Sequence, residues 1–154
     1  MDETGISTVL NRTAQYSPQF LVQKEVKQSL LYCMSATGVF VPPALILPRK
    51  RINPLLYKDA PNGTLPLISD TGYMDSHLFI DWLKHFVKHA KPSAEDPVLF
   101  IVHNHTSHFS LPSVLFCRDY HITCLTLPPH ANHVLQPLDK CLFASLKALY
   151  SSEA

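Results

Sequence analysis

The stretch PVLFIVHNHTSH, residues 97–108, joins a continuous apolar run to a loop that contains three histidines. The apolar part, residues 97–103, is too short for a helix and is rich in β-branched and aromatic residues, which predicts a buried strand. ITCLTLP (122–128) has the same character and predicts a second buried strand, with a short helix at 111–119 between the two. A helical crossover of this kind makes the two strands parallel, so the sequence predicts a layered α/β fold.

Other segments extend this prediction in both directions along the chain. SLLYCMSA (29–36) and VFVPPALILP (39–48) flank a turn and predict an antiparallel hairpin, with an edge position or a bulge at Pro42 and Pro43. Residues 75–90 form an amphipathic helix with Trp82 on its apolar face, and residues 139–150 predict a last helix. Residues 1–25 and 49–72 are interpreted as loops.

The composition places limits on the function. A chain of 154 residues with 46% hydrophobic and 16% charged residues suits one folded domain. The net charge of +1 gives no overall attraction to nucleic acid, and Arg49-Lys50-Arg51 is the only dense basic cluster. No apolar run approaches the 18 residues that predict a membrane helix. The four cysteines form no C-x-x-C pair and are interpreted as reduced, mostly buried thiols of an intracellular protein.

The histidine loop allows two interpretations. His103, His105 and His108 have the H-x-H-x-x-H spacing, which is similar to the zinc loop of metallo-β-lactamase-like hydrolases. That family has an acidic residue before the third histidine, where this chain has Ser107. Local hydrogen bonding within a loop is therefore the favoured interpretation. His85 and His89, four residues apart on the predicted helix, could also bind a metal, but they are interpreted as surface residues.

Carboxylates offer a second kind of site. Two-metal phosphoryl transfer needs several carboxylates to hold two magnesium ions. Asp2 and Glu3 begin the chain and Asp139 begins the predicted last helix. An aspartate at a helix start is usually a cap, so these residues alone do not establish a metal site.

Several segments, in order along nearly the whole chain, resemble the DDE superfamily endonuclease domain, and most closely the pogo, Tigger and jerky-type transposases and the host proteins derived from them. These segments are DETGIST (2–8), CMSATGVFVPPALILPRKRINP (33–54), TGYMDSHLFIDWLKHFVKH (71–89), PVLFIVHNHTSH (97–108), LTLPPHANHVLQPLDKCLF (125–143) and SLKALY (145–150). The resemblance implies an RNase H-like α/β fold, with a mixed sheet flanked by helices.

The resemblance also implies a catalytic site of three carboxylates that bind two Mg²⁺ ions. Asp2 and Asp139 match two of them, while the position of the central aspartate is occupied by His103. Imidazole is neutral and offers one lone pair, so it cannot bridge two hard cations. Loss of nuclease activity is therefore expected. The remaining residues that the resemblance places along the site are Asn104, His105, His108, His130 and His133.

DNA as a partner and the nucleus as a location follow from the resemblance. Arg49, Lys50 and Arg51 match a basic element of the family, which favours contact with a phosphate backbone over the alternative of a solvated loop. We expect residues 1–154 to form a single domain that lacks the first central strand and any helix-turn-helix domain, with Asp2 on a frayed terminus. The alternative function is a domesticated DNA-binding or protein-interaction module, and a zinc hydrolase is the third. The sequence does not indicate an oligomeric state.

Overall fold

A computed structural model describes residues 2–8, 26–102 and 106–128, and side-chain environments within 29–102, 106 and 108–128. The strands are β1 (Asp2–Thr8), β2 (Val26–Met34), β3 (Phe40–Pro48), β4 (Leu65–Ser69), β5 (Val98–Val102) and β6 (Ile122–Thr126). The helices are α1 (Ser76–Ala90) and α2 (Leu111–Asp119), with 3₁₀ turns at Pro54–Tyr57 and Thr106–His108. The helix predicted at 139–150 lies outside the described residues.

The first four strands form one mixed sheet in the order β1-β2-β3-β4. β2 is antiparallel to both β1 and β3, and β4 is parallel to β3. The hairpin between β2 and β3 closes where the Ser35 amide donates to the Val39 carbonyl at 2.8 Å, with Gly38 at φ +84°. Because this φ lies in the left-handed region, glycine suits the turn. The predicted hairpin is confirmed.

The two prolines of β3 lie at a bulge. Leu31 pairs with Ala44 and Cys33 pairs with Val41, so the single residue Tyr32 faces both Pro42 and Pro43. The predicted bulge is confirmed, but the alternative edge position is wrong, since β3 lies between β2 and β4. The ladder with β4 begins only at Ala44, and the prolines therefore interrupt no bond to that strand.

Two segments interpreted as loops are strands. β1 pairs with β2 over seven residues, from Asp2 opposite Tyr32 to Thr8 opposite Val26. β4 pairs in parallel with β3 over five residues within the predicted loop 49–72. Both lie at sheet edges, where polar residues in β1 and Pro66 in β4 are tolerated. The sequence around each strand is polar or rich in turn residues, and this concealed a short extended run that pairs with a neighbouring strand.

The strands β5 and β6 form a separate parallel pair, with Val98 beside Ile122 and Val102 beside Thr126. Parallel pairing was predicted and is confirmed. Burial of the two strands was also predicted and holds only for one face, because Leu99, Ile101 and Leu125 are 60%, 40% and 50% exposed. These three side chains share the face of the sheet that points away from the core, since residues along a strand alternate.

Helix α1 joins the two sheets through one hydrophobic core. Its buried face consists of Phe79, Trp82, Leu83 and Phe86, as the amphipathic pattern predicts. The core that contains them also includes Leu31, Ala44, Ile46 and Leu67 of the first sheet and Phe100, Val102 and Ile122 of the second. The result is a mixed α/β architecture that matches a partial RNase H-like fold.

The N-terminus of α1 supplies a test of local stability. Asp75 caps the helix, because its carboxylate accepts hydrogen bonds from the amides of His77 and Leu78 at 2.8 and 2.9 Å. Asp75→Ala is expected to lower the free energy of unfolding by about 1 kcal/mol, whereas Asp75→Asn, which keeps the acceptor, costs less. Urea denaturation of both variants measures this difference, and equal losses would contradict capping as the cause.

Candidate catalytic edge and basic cluster

The carboxyl ends of β5 and β6 lie side by side. The amide of Leu127 donates to the carbonyl of Val102 at 3.1 Å, just beyond the last ladder pair. Residue 103 follows β5 and the segment 128–139 follows β6 in the sequence, so the two segments that carry the predicted site begin at adjacent points of one edge. The predicted site residues that lie outside the described part of the chain are His103, Asn104, His105, His130, His133 and Asp139.

Asp2 lies in the other sheet. Its backbone begins β1 and pairs with Tyr32 of β2, so the expected frayed terminus is wrong for this residue. Among the described strands no hydrogen-bonded ladder joins β1 to the β5–β6 pair. Asp2 and the strand that precedes residue 103 therefore belong to different sheets, which are linked through the side-chain core, with no ladder between them among the described strands.

His108 is part of the core. Its side chain is 3% exposed, and the centroid of its ring lies 4.5 Å from that of Phe79 in α1. A zinc loop would need this imidazole turned toward the metal and toward His103 and His105. Within residues 2–8, 26–102 and 106–128 there is no group of three or more His, Cys, Asp or Glu side chains arranged to hold a metal. Packing is the role that this geometry supports for His108.

The two histidines of α1 engage backbone carbonyls. His85 Nε2 lies 2.9 Å from the carbonyl oxygen of Pro42, and His89 Nδ1 lies 2.9 Å from that of His85. Burial lowers the pKa of His85, and the neighbouring His89 and Lys88 lower it further, against the hydrogen bond to Pro42, which raises it. His85 therefore connects α1 to the bulge of β3 through this hydrogen bond. The contacts with backbone carbonyls account for the positions of both histidines without a metal site.

The basic cluster, defined as Arg49, Lys50 and Arg51, is fully on the surface. All three residues are exposed and follow the last residue of β3. The Arg49 amide donates to the carbonyls of Leu47 and Ser69 at 2.9 and 3.1 Å, which holds the start of the cluster at the common carboxyl edge of β3 and β4. The side chains are therefore accessible to a phosphate backbone, and the main chain at the start of the cluster is held in place by hydrogen bonds.

The basic cluster and Asp2 lie at opposite ends of the first sheet. Asp2 pairs with Tyr32 near the end of β2, whereas the end of β3 lies beside the first residues of β2. At about 3.3 Å per residue the separation is on the order of 15–20 Å. A nucleic acid bound by the cluster would need to run along the sheet to reach Asp2.

A pair of cysteines lies close together in a way that the sequence does not indicate. Cys117 of α2 and Cys124 of β6 form a hydrogen bond with their sulfur atoms 3.4 Å apart. Cys117 is buried, as expected, but Cys124 is exposed, and the interpretation of mostly buried thiols is wrong for that residue. A spacing of seven residues across a helix, a turn and a strand has no recognised motif, so only the three-dimensional contact reveals the pair.

One curated relative, "MFS-type transporter clz9" of Cochliobolus lunatus, is 32% identical over 127 residues. The alignment covers 81% of this chain but only 14% of that protein, so the chain corresponds to a small part of it. None of the described helices is long and apolar enough to cross a membrane. No solved structure matches the chain.

The family model described as DDE superfamily endonuclease matches residues 24–154. His103 and Asp139 fall within this match, and Asp2 falls before it. The match covers most of the chain and agrees with the mixed α/β fold. The chain therefore belongs to the DDE superfamily endonuclease family.

Proposed function

We propose that this chain is a transposase-derived DDE domain, of the pogo, Tigger and jerky type, that associates with DNA in the nucleus and does not cleave it. The observation that carries the proposal is the position of His103. It directly follows β5, at the edge where the segment that leads to Asp139 also begins. An aspartate at this position is what the family resemblance implies for the centre of a two-metal site.

The donor set does not fit a pair of magnesium ions. Two Mg²⁺ ions require oxygen ligands in near-octahedral geometry and a carboxylate that spans both ions. Asp2, His103 and Asp139 supply two carboxylates and one imidazole, which magnesium disfavours. The remaining charge of the two carboxylates also offsets less of the charge of the two cations than three carboxylates would.

The separation of the strands supports the same conclusion. Two metal ions in such sites lie about 3.5–4 Å apart, so their ligands need rigid relative positions. Asp2 is on the edge strand of one sheet and residue 103 follows a strand of the other. A site assembled across two sheets without a connecting ladder holds its ligands less firmly than one assembled on neighbouring strands.

DNA association rests on the basic cluster and on the family. The net charge of +1 provides little general attraction, so a local contact must supply the binding energy. Arg49, Lys50 and Arg51 are exposed, contiguous and anchored to the carboxyl edge of β3 and β4. Backbone phosphates are the groups that such a cluster recognises, which predicts binding without strong sequence preference.

A nicking assay tests the loss of catalysis. The purified chain, incubated with supercoiled plasmid and Mg²⁺ or Mn²⁺, is expected to give no more nicked product than buffer, because the imidazole of His103 cannot bridge the ions. His103→Asp is expected to bind Mn²⁺ more tightly than the unmodified chain in isothermal titration calorimetry, because it restores the missing carboxylate.

Two controls complete the assay. Metal-dependent nicking by the unmodified chain that disappears in Asp139→Asn would overturn the proposal, whereas nicking that survives in Asp139→Asn reports a contaminating nuclease. Elemental analysis of the purified chain addresses the zinc hydrolase. One tightly held zinc per chain, lost in His105→Ala, would favour that function over a DDE-derived one.

A further inference from the structure

We propose that Cys117 and Cys124 form a redox-sensitive thiol pair that reacts with small anionic disulfides such as oxidised glutathione and closes into an internal disulfide. The geometry carries this inference. The two sulfur atoms are 3.4 Å apart and hydrogen-bonded, whereas a disulfide bond is about 2.05 Å long. The two sulfur atoms must therefore move closer by little more than 1 Å to pass from the thiol pair to the disulfide, and rotation of the side chains can supply this movement.

The two thiols have unequal surroundings. Cys124 is exposed on β6, and Cys117 is one of the buried residues of α2. The hydrogen bond between them lowers the pKa of Cys124 against the effect of burial, and it raises the pKa of Cys117, which burial raises further. The exposed sulfur is therefore the one of the two that loses its proton more readily, and the thiolate is the attacking species.

A cavity beside the pair gives a reagent access. Its volume is about 630 Å³, and it is lined by both cysteines together with Arg118, His121 and Thr123. Arg118 and His121 are exposed and line the same cavity as Cys124, to which they contribute a guanidinium and an imidazole. Glu95 lies near His121 and offsets part of this charge. A disulfide that carries carboxylates suits this surface better than a cationic one.

The reaction balances in two steps. The Cys124 thiolate attacks one sulfur of the small disulfide, whose sulfur–sulfur bond breaks, and one thiolate leaves as a mixed disulfide forms on Cys124. Cys117 then loses its proton to solvent and attacks Cys124 Sγ, which releases the second thiolate. The protein loses two electrons and two protons, and the small disulfide is reduced to two thiols. Once Cys124 is modified, it no longer stabilises the protonated Cys117, which helps the second step.

Tryptic mapping tests the inference directly. The chain is incubated in mixtures of reduced and oxidised glutathione, and free thiols are then blocked with N-ethylmaleimide. Cleavage after Lys88, Arg118 and Lys140 places Cys117 and Cys124 in separate peptides, 89–118 and 119–140, each with one cysteine. The expected product is the disulfide-linked pair of these peptides. In brief exposures Cys124 is expected to react about ten times faster than Cys33, which is buried in the core.

Variants distinguish this pair from unspecific oxidation. Cys117→Ser is expected to accumulate glutathione on Cys124, because the resolving thiol is absent, and Cys124→Ser is expected to leave Cys117 unmodified. Cys33→Ala is the matched control and should still form the linked peptides. Far-UV circular dichroism confirms that each variant is folded. Equal modification of all four cysteines, or linkage of Cys124 to Cys33 or Cys141, would overturn the proposal.

Discussion

Trp82→Ala is expected to lower the free energy of unfolding by about 3–5 kcal/mol, the range for removing a large aromatic side chain from a core. The side chain of Trp82 is 1% exposed and is the largest fully buried one among the described residues. Its ring lies 5.4 Å from those of both Phe86 and Phe100, and 6.2 Å from that of Phe79. Small domains have about 5–15 kcal/mol of stability, so this loss leaves little margin.

The reason for so large an effect is the position of Trp82 between the two sheets. Phe100 belongs to β5, and Phe79 and Phe86 belong to α1, which also contacts β3 and β4. No described ladder joins the sheets, so side-chain packing in the core connects them, and the substitution removes the contribution of Trp82 to that packing. A cavity at this point costs both the transfer energy of the indole and the contacts of its neighbours.

Chemical denaturation followed by far-UV circular dichroism measures the loss, since Trp82 is the only tryptophan and its removal also removes the fluorescence signal. Lys88→Ala, an exposed position on the same helix, is the matched control and should change stability by less than about 0.5 kcal/mol. Trp82→Phe is expected to fall between the two. A loss for Trp82→Ala as small as that of the control would contradict the central role of this side chain.

Replacing Arg49, Lys50 and Arg51 together with glutamine is expected to weaken binding to duplex DNA on the order of a hundredfold or more at 0.1 M salt. Each phosphate contact contributes about 0.9 to the slope of log K against log salt concentration, so three contacts account for a change of about 2.7. Fluorescence anisotropy with a labelled duplex, repeated over a range of salt concentrations, measures both the affinity and the slope.

The matched control removes the same number of charges elsewhere. Lys58, Lys84 and Lys88 are exposed, and Lys84 makes only a surface ion pair with Asp81. Glutamine at these three positions gives the same net charge as the first variant and is expected to preserve most of the slope. Equal weakening by both variants would mean that net charge governs binding and that the basic cluster is not a contact site.

Elements with a strong local pattern were predicted correctly. The apolar residues of α1 recur at helical spacing, and the four most buried of them face the core as predicted. The prolines and Gly38 also indicated the bulge and the turn of the β2–β3 hairpin. In each case the information lies within about fifteen consecutive residues, which is the range over which periodicity, capping and turn preferences act.

Elements that depend on a partner were missed. β4 and β1 are edge strands whose polar residues and turn-rich flanks resemble loops, and pairing with β3 and β2 decides their conformation. The exposure of Leu99, Ile101 and Leu125 was missed for a related reason. An apolar run predicts a strand, but which of its faces is covered depends on elements that are distant in the sequence.

The sequence by itself determined the family and the α/β class, because each is a property of residue identity and order. It also predicts that His103 stands where the family has a metal-bridging aspartate. Only the tertiary structure decided that Asp2 and the basic cluster lie at opposite ends of one sheet, and that Cys117 contacts Cys124. These are distances between residues on different elements. Tertiary packing sets such distances, whereas the local conformational preferences of the sequence do not.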